Sequence, residues 1–295
     1  MADASLHTRH RLAPLRDAWT AANAIQRSAM VLAMGLVLLA LLAPVLAPHD
    51  PDAQSLLARL RPPLGFDRAS PGHVWGTDEL GRDILSRCLH GLRLTLTLAA
   101  AGACLGLLLG GTLGMIAGMA GGRIDDAIMG LVDAQIAIPF TLIALLILAI
   151  FGSSIQVLVL ILGVAGWEQY GRIVRGEVRR LMRMPFVEAA RAAGATGRRI
   201  GLRHILPNIV SPLVVQFTLA LSNIVLLEST LSFLGIGIQP PTATLGSMVG
   251  MGRDYMPTAP WVVVFPALMI VCLTFAVQIL GDWLRDRVDV RLRGR

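Results

Sequence analysis

Long apolar runs alternate with short polar stretches along this chain, and that pattern predicts its elements. Residues 28–48 and 94–120 carry no charge. Residues 127–151 form a third run, interrupted by Asp133 and Pro139 and closed by Gly152-Ser153-Ser154. A fourth starts at Ile155. Sixteen helical residues would rise only ~24 Å, so this span is expected to run past Arg172, over 155–172. Residues 208–228 and 261–281 complete the set, the last containing Pro266. Each run approaches the ~20 residues that a helix needs to cross hydrocarbon. The runs are continuous rather than alternating, which excludes a membrane barrel and leaves helices. The expected fold is an all-α polytopic membrane protein with six transmembrane helices.

Composition agrees. Of 295 residues, 55% are hydrophobic and 15% charged, with mean hydropathy +0.66; soluble domains carry about 25% charged residues. The net charge is +7, and all 26 basic residues are arginine. A P-loop needs a lysine on the nucleotide phosphates, so no such ATPase site is expected here. If ATP drives this protein, another subunit hydrolyses it. The arginines flank apolar runs, which favours membrane orientation over nucleic-acid binding. Cys88, Cys104 and Cys272 show no C-x-x-C spacing, the six histidines show no metal-ligand spacing, and H-E-x-x-H is absent. No catalytic, cofactor or metal site is expected.

Six spans put both termini on one side. Sorted by that topology, 19 arginines fall on the side of the termini and 7 on the other. The excess marks the first side as cytoplasmic. Residues 1–27 are then a cytoplasmic N-terminal segment, 28–48 an uncleaved first span, 49–92 an extracytoplasmic insertion and 283–295 a cytoplasmic tail. In the insertion, Thr77 or Asp78 can cap a helix with Glu79 in its first turn. Leu80, Ile84, Leu85, Cys88 and Leu89 recur at helical spacing. This predicts an amphipathic helix lying on the membrane surface before the second span. In the second span, closely spaced small residues, among them Gly102, Gly106, Gly110, Gly111, Gly114 and Gly118, predict close helix packing.

One stretch is out of character. Residues 171–207 join two spans through a loop far longer than the about 2–8 residues usual between helices, and they carry nine arginines. Val187 to Ala193 are good helix formers with Glu188 in the first turn, favourable to the helix dipole. Ala189, Ala190, Ala192 and Ala193 leave a small, smooth surface around Arg191. Gly194 and Gly197 permit a sharp turn with positive φ. Arg198 to Ile205 can resume as helix, and Pro207 marks entry to the fifth span. The prediction is a helix, a turn and a second helix, shaped to sit in another protein's groove.

The order E-A-A, three residues, G, nine residues, His, any residue, L-P resembles the EAA signature of ABC-importer permeases. Glu188, Ala189, Ala190, Gly194, Leu206 and Pro207 match, and His204 stands where isoleucine is usual. That variant resembles the H-I-L-P-N form of the dipeptide/oligopeptide/nickel branch. G-T-D-E-L-G-R-D at 76–83, W-E-Q-Y-G-R-I-V-R at 167–175, L-S-F-L-G-I-G-I-Q-P-P at 231–241 and L-G-D-W-L-R-D at 280–286 are similar to the same branch. The long insertion after the first span resembles the second permease of the pair. Departures are Gly171, where alanine is common, and Val290, where proline often stands.

The resemblance implies a type I ABC importer permease fold whose 171–207 loop is a cytoplasmic coupling loop. It implies a second, homologous permease, two ABC ATPases that bind ATP and Mg and each hold one such helix, and an extracytoplasmic binding protein. The setting would be a bacterial cytoplasmic membrane and the cargo peptides, with nickel or another small solute as the alternative. An ion-coupled secondary transporter is the rival function; it calls for ionisable groups at mid-membrane, of which the runs hold almost none. Asp133 and Glu228 are the two candidates for a pathway or gate. Asp133, near the cytoplasmic end of the third span, reads more readily as a solvated interfacial residue; Glu228, near the outer end of the fifth, reads equally well as an interfacial structural partner.

Overall fold

The computed structural model describes residues 22–288. The expected N-terminal segment lies mostly outside them, as do Val290 and most of the tail. Eleven helices are formed among the described residues: α1 (Ala24–Leu46), α2 (Ile84–Ala120), α3 (Gly122–Ala137), α4 (Phe140–Phe151), α5 (Ile155–Val164), α6 (Trp167–Leu181), α7 (Pro185–Ala192), α8 (Gly197–Ile200), α9 (Leu206–Phe233), α10 (Leu245–Gly252) and α11 (Trp261–Val288). They contain no β-strand. Five helical segments are long and apolar enough to cross a membrane, and six if α3 and α4 count as one broken span. The protein is an all-α polytopic membrane protein.

The third span departs from the expected straight run: α3 and α4 meet at 87°. Ile138 is extended (φ −109°, ψ 131°), as a residue before proline must be. Pro139 then starts α4 without closing a backbone bond to α3. The fourth span reaches Leu181, well past the 172 boundary, with a break at Ala165-Gly166. Gln135 ties that break to α3: its side-chain amide donates to Val164 O (2.7 Å) and Glu168 Oε2 (3.0 Å), and it accepts from Trp167 Nε1 (2.6 Å). The fifth and sixth spans each extend beyond their expected ends, to Phe233 and Val288.

Helix α2 is the axis of the bundle. It packs against α6, α5, α9, α1 and α3. Gly102, Gly106, Gly110, Gly114 and Gly118 recur every fourth residue, so they line one face of the helix. A Cβ at Gly114 would lie 2.6 Å from Gly171 O and 2.9 Å from Val174 Cβ; one at Gly118 would lie 2.7 Å from Val178 Cβ. The backbones of α2 and α6 therefore approach as only glycine allows. The departure at Gly171 is harmless by the same measure, because a Cβ there would meet its neighbours at 3.8 Å, an ordinary contact.

The expected surface helix in the 49–92 insertion does not form as a separate element. The helix cap is Asp83, not Thr77 or Asp78, and α2 runs unbroken from Ile84 into the span. Gly81 blocks an earlier start, with φ +73° and no room for a side chain beside Ser55. Ile84, Cys88, Leu89 and Leu92 face the protein core, not a membrane surface. Upstream, the chain folds around ion pairs. Arg82 donates to Asp78 (2.6 Å) and Glu79 (2.9 Å), and Arg87 reaches Asp78 and Asp52 (both 3.5 Å). Both arginines are buried. Burial pushes the Glu79 carboxyl above the usual carboxylate range, and the Asp78 carboxylate beside it adds to the rise. Two of the arginines counted against the topology are thus neutralised within this segment.

Candidate functional site

The 171–207 loop folds as the expected helical hairpin. Pro185 occupies the first turn of α7, where its missing N–H costs nothing, and Glu188 follows in the same turn. The helix ends at Gly194 with φ +79°. Ala195 N–H donates to Ala190 O and Gly194 N–H to Arg191 O, both at 2.9 Å, satisfying carbonyls that the helix end leaves free. Thr196 caps α8, its hydroxyl accepting from Arg199 N–H. A π-helical turn, Gly201–Ile205, leads into α9, which carries Leu206 and Pro207 at its start. Gly197 does not use a glycine's freedom. It is the first residue of α8, outside the positive-φ region, with open space where a Cβ would stand.

A second apolar cluster holds the hairpin to the bundle. Val187, Ile200, Ile205 and Ile209 pack with Val174, Val178 and Leu181 of α6, and Met115 and Met119 of α2 lie against them. Val187 is fully buried while Glu188, Ala189, Arg191, Ala192, Ala193 and Gly194 are exposed. Ala190 is half-buried beside the cluster. One face of α7 is therefore anchored and the other is a smooth surface of short side chains flanked by Glu188 and Arg191. His204 is half-buried, and its backbone carbonyl accepts from Asn208 Nδ2 (2.6 Å). Leu206 and Pro207 are exposed.

Val187, which no sequence motif marks, anchors the mounting. Val187→Ala removes two buried carbons and leaves a void. This is expected to weaken the local packing by roughly 2 kcal/mol. Amide exchange over 185–195 should quicken while exchange in α2 stays unchanged. Equal protection in both proteins would contradict the anchoring role.

Three residues that no sequence motif marks join α3 to α6. Asp125 of α3 is buried and accepts from Arg175 and Arg179 of α6, including Arg175 Nη2 at 2.7 Å. It clamps the first half of the broken span to the helix that leads into the hairpin. Asp133 pairs with Arg172 at 2.6 Å, both side chains largely exposed. Glu228 is fully buried; Ser232 Oγ donates to its carboxylate (2.7 Å), and Thr95 Oγ1 lies at 3.5 Å. Its contact with Thr95 links α9 to α2. The fold also brings His49, His73 and Asp83 together, each offering one atom that could bind a metal, all within 4.8 Å of one another.

The apolar spans, one of them bent, thus carry a hairpin with one buried and one exposed face. Residues 110–293 match the family described as binding-protein-dependent transport system inner membrane component, and residues 27–63 match the N-terminal TM domain of oligopeptide transport permease C. This chain belongs to the binding-protein-dependent transport system inner membrane component family. It is 36% identical to the dipeptide transport system permease protein of Haemophilus influenzae, over 88% of each chain. It is 37% identical to the di/tripeptide transport system permease protein of Pseudomonas aeruginosa, over 95% of this chain and 93% of that one. It is also 37% identical to the glutathione transport system permease protein of Escherichia coli, over 91% and 88%. Among solved structures, the MetNI methionine ABC transporter in an inward-facing form aligns with TM-score 0.54 at 22% identity, covering 70% of this chain and 97% of that one. That likeness shows a shared fold.

Proposed function

We propose that this chain is one of two permease subunits of a peptide importer and that α7 is its coupling helix. The observation that carries the reading is the two-faced α7: Val187 locks one face into the bundle, and the other offers Glu188, Ala189 and the following small residues to a partner. A helix so mounted transmits a push instead of folding away from it. Two ABC ATPase subunits, holding ATP and Mg, supply that push; this chain has no lysine for a P-loop and acts without a cofactor of its own. The partner grooves receive the short side chains around Ala189, and Glu188 and Arg191 set the docking by charge. The hairpin and both termini are cytoplasmic, and the 49–83 segment faces an extracytoplasmic binding protein. The second permease lies against this chain across lipid-depth apolar surface. Nucleic acid plays no part.

Peptides are the proposed cargo because the relatives that cover nearly the whole chain are named for dipeptides, di/tripeptides and glutathione. The test is reconstitution of both permeases, the ATPases and the binding protein in liposomes. ATP is expected to drive uptake of a labelled dipeptide. Nickel uptake without peptide uptake would overturn the cargo. Uptake driven by an ion gradient in the absence of the ATPases would overturn the whole reading.

A further inference from the structure

We infer that His49, His73 and Asp83 form a zinc-class metal site that clips the outer end of the first span to the start of the second. The sequence spacing gave no hint of it, because the three residues lie on separate pieces of backbone. His49 follows the end of α1, His73 sits in the loop of the 49–83 segment, and Asp83 caps α2. Asp83 Oδ1 is 3.0 Å from His73 Nδ1 and 3.9 Å from His49 Nδ1. Zinc bonds to nitrogen and oxygen of about 2.0–2.2 Å put tetrahedral ligands roughly 3.3–3.5 Å apart. The two distances to Asp83 Oδ1 each lie within about 1 Å of that spacing, and all three donors lie within 4.8 Å of one another.

Three further observations support a ligand set over a chance meeting. The Nδ1 atom of His49 is shut off from solvent and has no hydrogen-bond partner; a bound cation would satisfy it. Asp83 is fully buried, and its other oxygen accepts from Ser86 N–H (2.8 Å) and Ser86 Oγ (2.7 Å), which fixes the carboxylate with Oδ1 turned to the histidines. Ser86 Oγ also accepts from His49 N–H (3.1 Å), so one hydroxyl orders two of the three ligands. Such outer partners are what metal sites use to orient their ligands. The two imidazoles stack, with centroids 4.6 Å apart and planes at 27°, which keeps both Nδ1 atoms on the same side as Asp83.

The donor chemistry selects the metal. Two imidazole nitrogens and one carboxylate oxygen suit zinc and its borderline neighbours, not magnesium or calcium, which take oxygen. In the bound form the single ring proton of neutral His73 stands on Nε2, which leaves Nδ1 and Asp83 Oδ1 to bond the ion instead of each other. Water fills the fourth position. The ion then joins the end of α1, the loop and α2, adding to the bond from His49 N–H to Ser86 Oγ and to the reach of Arg87 to Pro51 O and Asp52.

The test uses the full chain, purified in detergent through a tag free of histidine and stripped with chelator. Cobalt(II), added alone, is expected to bind one equivalent per chain with the visible absorption of a low-coordinate nitrogen–oxygen site, and zinc should displace it. Zinc should also raise the melting temperature by several degrees. His49→Gln and His73→Gln should each lose the absorption and the zinc-induced rise, and Ser86→Ala should weaken binding at least tenfold. A measurement without substitutions guards against misfolded variants: zinc should shield His49 and His73 of the native chain from carbethoxylation while His204 reacts unchanged. Cobalt binding equal in the native chain and the His49→Gln/His73→Gln double variant would overturn the site. So would absence of stoichiometric binding together with unshielded histidines, the result expected if His73 and Asp83 share only a hydrogen bond.

Discussion

Gly194→Asp is expected to abolish ATP-driven uptake while the chain stays in the membrane at its normal level. Gly194 holds φ +79° at the end of α7. Side chains in that region cost roughly 1–2 kcal/mol, and aspartate is among those that tolerate it best. No atom lies within 4 Å of the added Cβ, so packing within this chain is undisturbed. A carboxylate at the negative end of the helix dipole adds about 0.3–1 kcal/mol of cost. These terms bend or loosen the turn; they do not unfold a bundle held by α2, α6 and α9. The damage falls on the exposed face, where a new charge stands at the edge of the surface that we propose meets the ATPase. Uptake in membrane vesicles, with the membrane content of the variant measured alongside, checks this. Normal transport by Gly194→Asp would remove α7 from the coupling role.

Gly110→Ala should be strongly destabilising, because the added methyl group falls where α2 and α6 touch. The new Cβ would overlap the Trp167 carbonyl oxygen and sit 2.7 Å from Tyr170 Cβ. Both belong to the backbone or stem of α6, which cannot swing aside as a side-chain tip can, so the two helices must part. Overpacking of this kind costs typically about 1–3 kcal/mol, and separating the helices strips further contacts along the glycine row. The melting temperature in detergent is expected to fall clearly. Gly111→Ala is the matched control, since its nearest neighbour is the Leu107 side chain at 4.0 Å; it should leave the melting temperature unchanged or slightly higher. Equal melting of the two variants would show that α2 and α6 are not seated on this glycine face.

The two halves of the result were legible to different degrees. The spans could be read because apolar length is a local signal, and the turn at Gly194 because a glycine after a run of alanines is one too. The 87° bend was marked only by Pro139; a proline announces a break but not its angle. Ile84, Cys88 and Leu89 have the periodicity of a one-sided helix, yet spacing cannot say whether that side meets headgroups or protein, and here it meets the core. Asp125 and its arginines stand 50 or more residues apart, as far as the fold can take them from any motif. His49, His73 and Asp83 lie in one segment, but their separations match no ligand motif, so only the fold of the loop brings them together. Gly197 was misjudged because the residue before it, Thr196, supplies the cap that makes a flexible joint unnecessary.

Helix α2 has a consequence for how movement passes through the molecule. Its 37 residues rise about 55 Å, nearly twice the ~30 Å of hydrocarbon around it. One end begins at Asp83, among the histidines and buried arginines; the other places Met115 and Met119 under the hairpin. Between them the rod bears on α6 along a row of glycines and has no proline to bend at. It is a rocker arm on a smooth fulcrum: a tilt that shifts the hairpin seat one way must shift the far end the other way, in the same instant and through a single piece of backbone.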